Sequence, residues 1–145
     1  MSKNFYLSIF FGFFFNVILG QNPIEWITNT EKINDSTYNL ITTAKIENNW
    51  RLYSQYNEEG GAILTEFIFS DSLIIKNYSK VIEPEPITKF DPVFNLDQSY
   101  FVNQVTFNQS IVLSDNDVDF VNQTVYYQVC DDRVCIFQEQ DLMFN

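Results

Sequence analysis

Tyr126-Tyr127-Gln128-Val129-Cys130-Asp131-Asp132-Arg133-Val134-Cys135-Ile136-Phe137 reads as two strands joined by four turn residues. Folded back as an antiparallel hairpin, the stretch pairs Cys130 with Cys135, Val129 with Ile136 and Gln128 with Phe137. The two-residue period of a strand then sets Val125, Tyr127, Val129 and Ile136 on one face and both cysteines on the other. Directly opposed positions lie within the Cα separation that a disulfide needs. The two thiols of the chain are therefore expected to meet, turned away from the more apolar face.

Such a bridge supports two readings. As a structural staple it closes a loop so short that it stabilises the fold by only about 2 kcal/mol on the chain-entropy account. A staple of the immunoglobulin type would instead join distant strands across the core. As a redox centre, a cross-strand bridge beside a tight turn is expected to be strained and reducible, which suits exchange chemistry. Asp131 and Asp132 next to the thiols disfavour a thiolate, and Arg133 partly offsets them. The same Asp-Asp pair also makes a good turn whether or not its charge is used.

Outward from the hairpin the chain keeps strand periodicity and shows no stretch of helical period. Tyr38, Leu40, Thr42, Ala44 and Ile46 alternate with polar neighbours, as do Val105, Phe107, Ile111 and Leu113. Trp50, Leu52, Ser54 and Tyr56 lie on one side of a further strand, with Arg51, Tyr53 and Gln55 on the other, until Gly60-Gly61 breaks it. Strands are also predicted over residues 63–69, 73–82, 118–130 and 134–144, with Asp115-Asn116-Asp117 as a turn. Pro84, Pro86 and Pro92 exclude central-strand pairing, which predicts a long surface loop over residues 83–99. Seven or eight short strands with turn signals between them point to a single-domain antiparallel β-sandwich of immunoglobulin-like type.

The 145-residue length allows one domain with a sizeable core, and 46% hydrophobic residues against four Gly and four Pro argue for a folded chain. With no His, imidazole catalysis and most zinc sites are ruled out, and two Cys cannot complete a structural zinc shell. No metal and no cofactor are expected. A formal charge of -11 sets the chain against nucleic acid and anionic membrane surfaces. Lys3, the apolar run from Phe5 to Leu19 and the small Gly20 predict a signal peptide over residues 1–20, with the domain at residues 21–145. The run is short of the roughly 20 residues that span a bilayer. The expected location is therefore exported, periplasmic or secreted, where disulfides persist.

Five stretches, in order along the chain, carry a family resemblance. They are Asn49-Trp50-Arg51-Leu52-Tyr53-Ser54-Gln55, Glu59-Gly60-Gly61 leading to Thr65-Glu66-Phe67, Phe90-Asp91-Pro92-Val93-Phe94, Val105-Thr106-Phe107 and Cys130-Asp131-Asp132-Arg133-Val134-Cys135. Together they resemble the amino-terminal domain of the thiol:disulfide interchange protein DsbD. The resemblance implies an immunoglobulin-like domain that takes electrons from a membrane-embedded reductase, by way of a thioredoxin-like domain, and passes them to periplasmic thioredoxin-fold proteins. It makes Cys135 the thiol that forms mixed disulfides and Cys130 the one that resolves them. It also implies a cap loop over residues 90–95, with Phe94 covering the disulfide and Asp91 as its acidic neighbour. The alternative for Phe94 is a small packing anchor. Tyr53 matches an aromatic lining position, or is an amphipathic strand residue, and Trp50 is expected in the core.

Three positions depart from the resemblance: Phe137-Gln138 stands where a Pro pair is usual, and Arg51 where a Tyr or His is usual. The chain is expected to be a stand-alone form whose electron donor is a separate membrane thiol reductase, with thioredoxin-like exported proteins as partners. A different class of function is a non-catalytic exported binding module with an inert hairpin disulfide.

Overall fold

The computed structural model describes residues 22–70, 73–115 and 118–145. The predicted signal peptide and Asn116-Asp117 of the predicted turn lie outside them. The described strands are β1 (Ile24–Lys32), β2 (Thr37–Ile46), β3 (Arg51–Tyr53), β4 (Glu66–Phe69), β5 (Ile75–Tyr78), β6 (Ile87–Asp91), β7 (Leu96–Phe101), β8 (Gln104–Leu113), β9 (Val121–Cys130) and β10 (Cys135–Phe144). One sheet runs β1-β2-β8-β5; the other runs β10-β9-β3-β7-β6, with β4 also paired to β9. Every pairing is antiparallel. The two sheets form an immunoglobulin-like sandwich.

Alternation in the sequence dictates what lies between the layers. Leu40, Ala44, Phe107 and Ile111 come inward from the first sheet. Leu52, Phe101, Val125, Tyr127, Val129 and Leu142 meet them from the second. Trp50 is buried in this core as expected. Two glutamines enter it as well: Gln123 Nε2 donates to Gln109 Oε1 at 2.7 Å, and Gln109 Nε2 donates in turn to the Ser79 carbonyl at 2.8 Å. No helix among the described residues is long and apolar enough to cross a membrane.

Residues 83–99 are not the loop that their prolines predict. Ile87–Asp91 and Leu96–Phe101 form a hairpin in which Ile87 pairs with Tyr100 and Asp91 with Leu96. Pro84 and Pro86 precede β6 and Pro92 sits in the turn, so no proline is asked to donate within the ladder. β6 is also an edge strand, where the missing N–H of a nearby proline costs little. A second difference is β1, which no predicted strand anticipated. It pairs along β2 from Ile24↔Ile46 to Lys32↔Tyr38, but places Thr28 and Thr30 among its alternating positions and so lacks a clean apolar stripe. The strands expected around Tyr38–Ile46 and Val105–Leu113 are present in full as β2 and β8, whereas the other predicted strands are shorter than expected; the 73–82 segment, for example, contributes β5 and then an isolated bridge from Ile82 to Asn108.

Candidate functional site

Cys130 ends β9, Cys135 opens β10, and the two are register partners joined by a disulfide with their Cα atoms 4.1 Å apart. The pairings Val129↔Ile136 and Gln128↔Phe137 follow as the hairpin reading requires. The main core takes Val125, Tyr127 and Val129, so Gln128 and Cys130 emerge on the opposite face of the sheet. The two sulfur-bearing residues differ in access: Cys130 is 1% exposed, whereas Cys135 is exposed at the hairpin tip.

Cys130 is buried by a small second cluster. Tyr53 from β3 and Ala62 from the loop after Gly60-Gly61 are its buried members, and Phe94 and Tyr100 pack against them. Tyr53 meets Phe94 edge-on with centroids 6.0 Å apart, and Tyr100 at 6.4 Å. Phe94 lies in the turn between β6 and β7, where Asn95 adopts the left-handed conformation (φ 55°) that Asn tolerates. The Tyr53 hydroxyl donates to Asp91 Oδ2 at 3.3 Å, while Asp91 Oδ1 accepts the N–H of Val93 at 2.8 Å and braces the same turn. Burial, with the Asp91 charge adding to it, pushes the Tyr53 pKa up to about 12, which keeps the phenol a neutral donor.

The charges around the hairpin tip divide into turn-forming and paired groups. Asp131 Oδ1 accepts the N–H groups of Arg133 and Val134, both at 2.7 Å, and these bonds hold its carboxyl below the usual range. Arg51, the register partner of Cys130, reaches over the tip. Its Nη2 donates to the Asp131 carbonyl and to Asp132 Oδ1, each at 3.1 Å, and its guanidinium lies over the Tyr100 ring at 5.8 Å. Asp132 is thus answered by Arg51, while Arg133 is largely solvated and 3.8 Å from Asp131.

Cys130, Tyr53 and Phe94 therefore come together, with Asp91 attached through the Tyr53 hydroxyl; Asp131, Asp132 and Arg133 form the tip itself. Sequence reasoning noted Arg51 only as a departure and passed over Gln128, Gln98 and Tyr100. Gln128 Nε2 lies 3.6 Å from Cys130 Sγ, and its Oε1 accepts the N–H of Ile63 at 2.7 Å. Gln98 Oε1 accepts the N–H of Ala62 at 2.8 Å, fixing the same loop. Gln128 was findable, since it stands two residues before Cys130 on one strand face. Gln98 lay inside the segment read as a loop. Among the described residues no group of three or more His, Cys, Asp or Glu side chains is positioned to hold a metal ion.

Fold and site together define an immunoglobulin-like domain that presents one asymmetrically buried disulfide at a hairpin tip. The family model described as "Thiol:disulfide interchange protein DsbD, N-terminal" matches residues 25–145. The chain belongs to this family, which is involved in thiol–disulfide exchange. No curated protein sequence matches it. Among solved structures, the N-terminal periplasmic domain of ScsB from Proteus mirabilis superposes with a TM-score of 0.59 at 16% identity, over 83% of this chain and 44% of that one. The chain thus spans less than half the length of that ScsB structure. The reduced N-terminal domain of DsbD from Neisseria meningitidis gives a TM-score of 0.48 at 11% identity, over 82% of each chain.

Proposed function

We propose that this chain is an exported, periplasmic thiol–disulfide exchange domain that relays electrons through the Cys130/Cys135 dithiol to thioredoxin-fold partners. The observation that supports this is the asymmetry of the bridge: an incoming thiolate reaches the exposed Cys135, not the buried Cys130. In loading, a donor thiolate attacks Cys135 Sγ. A donor–Cys135 bond forms, the Cys130–Cys135 bond breaks, and its electron pair leaves on Cys130. The donor's second thiol then displaces Cys135, leaving a dithiol here and a disulfide on the donor. Unloading runs the other way: Cys135 attacks an oxidised partner and Cys130 resolves the mixed disulfide. The partner gains the electron pair and the protons that the dithiol gives up, and no cofactor takes part.

Phe94 acts as a cap over the buried Cys130 side of the bridge until a partner displaces it, with Tyr53 as its edge-on support and Asp91 anchoring both. Asp131 shapes the tip, and Asp132 with Arg51 holds it against the sheet. The electron donor in this reading is a membrane thiol reductase. Residues 1–20 act as the signal peptide that exports residues 21–145, a role that suits their single Lys3 and apolar run. Equilibration against a thiol buffer reads the reduction potential. A value above about -300 mV is expected, whereas a lower one would make the bridge a structural staple.

A further inference from the structure

The amide of Gln128 is fixed end for end by its surroundings. An N–H can only donate, so the group facing the Ile63 N–H at 2.7 Å must be the Gln128 carbonyl oxygen. Its NH2 must therefore face the other way, where Cys130 Sγ lies 3.6 Å off. Both residues are buried, so bulk water does not supply a substitute donor. The Ile63 loop is itself held by the Ala62 N–H to Gln98 Oε1 bond, and Gly61 leaves no space for a Cβ beside Gln98.

A disulfide sulfur is a weak acceptor and a thiolate a strong one, because hydrogen bonds to an ionised acceptor are roughly twice as strong as neutral ones. A donor parked at this sulfur stabilises the opened bridge more than the closed one. The geometry points to Gln128 as the hydrogen-bond donor that receives the charge arriving on Cys130 when the bridge opens, directing cleavage so that Cys135 carries the mixed disulfide. The step balances: the attacking sulfur bonds to Cys135 Sγ, the Cys130–Cys135 bond breaks, and Cys130 keeps the electron pair as a thiolate against the Gln128 NH2. This deepens the exchange reading and rests on it. Arg51, Asp131, Asp132 and Arg133 at the tip, and Tyr53, Asp91 and Tyr100 in and beside the cluster that buries Cys130, are the titratable or charged groups on the elements packed around this residue, and they are left unchanged in the test.

Two substitutions separate this role from mere packing. Gln128→Glu keeps an oxygen for the Ile63 N–H but turns an acceptor toward the sulfur. Gln128→Met keeps the approximate shape and removes the donor. With dithiothreitol as the attacking thiol, Gln128→Glu is expected to open about tenfold more slowly than wild type, the scale of one charge-assisted hydrogen bond, and Gln128→Met a few-fold more slowly. In a Cys135→Ala background, the ultraviolet thiolate absorbance of Cys130 should titrate at higher pH in both variants. An opening rate within about twofold of wild type and an unmoved titration, in either variant while folded, would overturn the assignment. The small-thiol assay involves no protein partner, so its failure is distinct from a failure of partner exchange.

Discussion

Reducing the Cys130–Cys135 bridge is expected to lower stability by about 2 kcal/mol and leave the sandwich folded. The figure follows from the loop that the bridge closes, which has a sequence separation of 5, so that little entropy is removed from the unfolded chain. What holds the hairpin is the ladder. β9 and β10 are paired residue by residue from Cys135↔Cys130 to Phe144↔Val121, and β9 is gripped on its other side by β3 and β4. Reduction deletes no atoms, so no cavity term is added to the entropic one. Urea titrations of oxidised and reduced protein provide the assay. With a denaturant slope of about 2 kcal/mol per molar, the midpoint should move by about 1 M. Unfolding on reduction, or a loss above about 5 kcal/mol, would refute the reasoning, because a redox domain must survive in both states.

Phe94→Ala should speed opening of the bridge by small thiols while costing about 1–2 kcal/mol, since the half-buried ring contributes an edge contact to Tyr53; an unchanged opening rate would make Phe94 a packing anchor only. Tyr53 ionises near pH 10 in the unfolded chain but near 12 when folded, so the folded state binds the extra proton between those values and stability falls as pH rises through them. Tyr53→Phe should flatten part of that fall in urea midpoints measured against pH, the remainder coming from Tyr127, whose pKa burial also raises. Gly61→Ala would drive a Cβ into Gln98, which is buried and committed to the Ala62 N–H, and should cost about 1–3 kcal/mol by urea denaturation. A neutral result there would mean that Gln98 can swing aside.

The hairpin was the most legible part of the chain because everything that sets it is local: the alternation, the acidic turn and the spacing of the two cysteines. The different exposure of Cys130 and Cys135 was not legible, because Cys130 is covered by Tyr53, Ala62 and Phe94, which come from distant segments. Arg51 looked like a simple departure from the family pattern. Its part at the tip depends on the β3–β9 register, which a three-residue strand does not announce. The prolines misled over residues 83–99 because position relative to a ladder, rather than proline content, decides whether a strand can form. β1 escaped notice because its edge position tolerates threonines where an inner strand would carry aliphatic residues.

The central claim is that Cys135 exchanges and Cys130 resolves. Cys130→Ala keeps the exposed nucleophile and removes the thiol that would release its partner. Incubated with an oxidised, exported thioredoxin-fold protein, this variant should accumulate a mixed disulfide through Cys135, visible on a non-reducing gel and reversed by reductant. Cys135→Ala should trap little or none. Absence of any adduct with Cys130→Ala, or equal trapping by the two variants, would contradict the account.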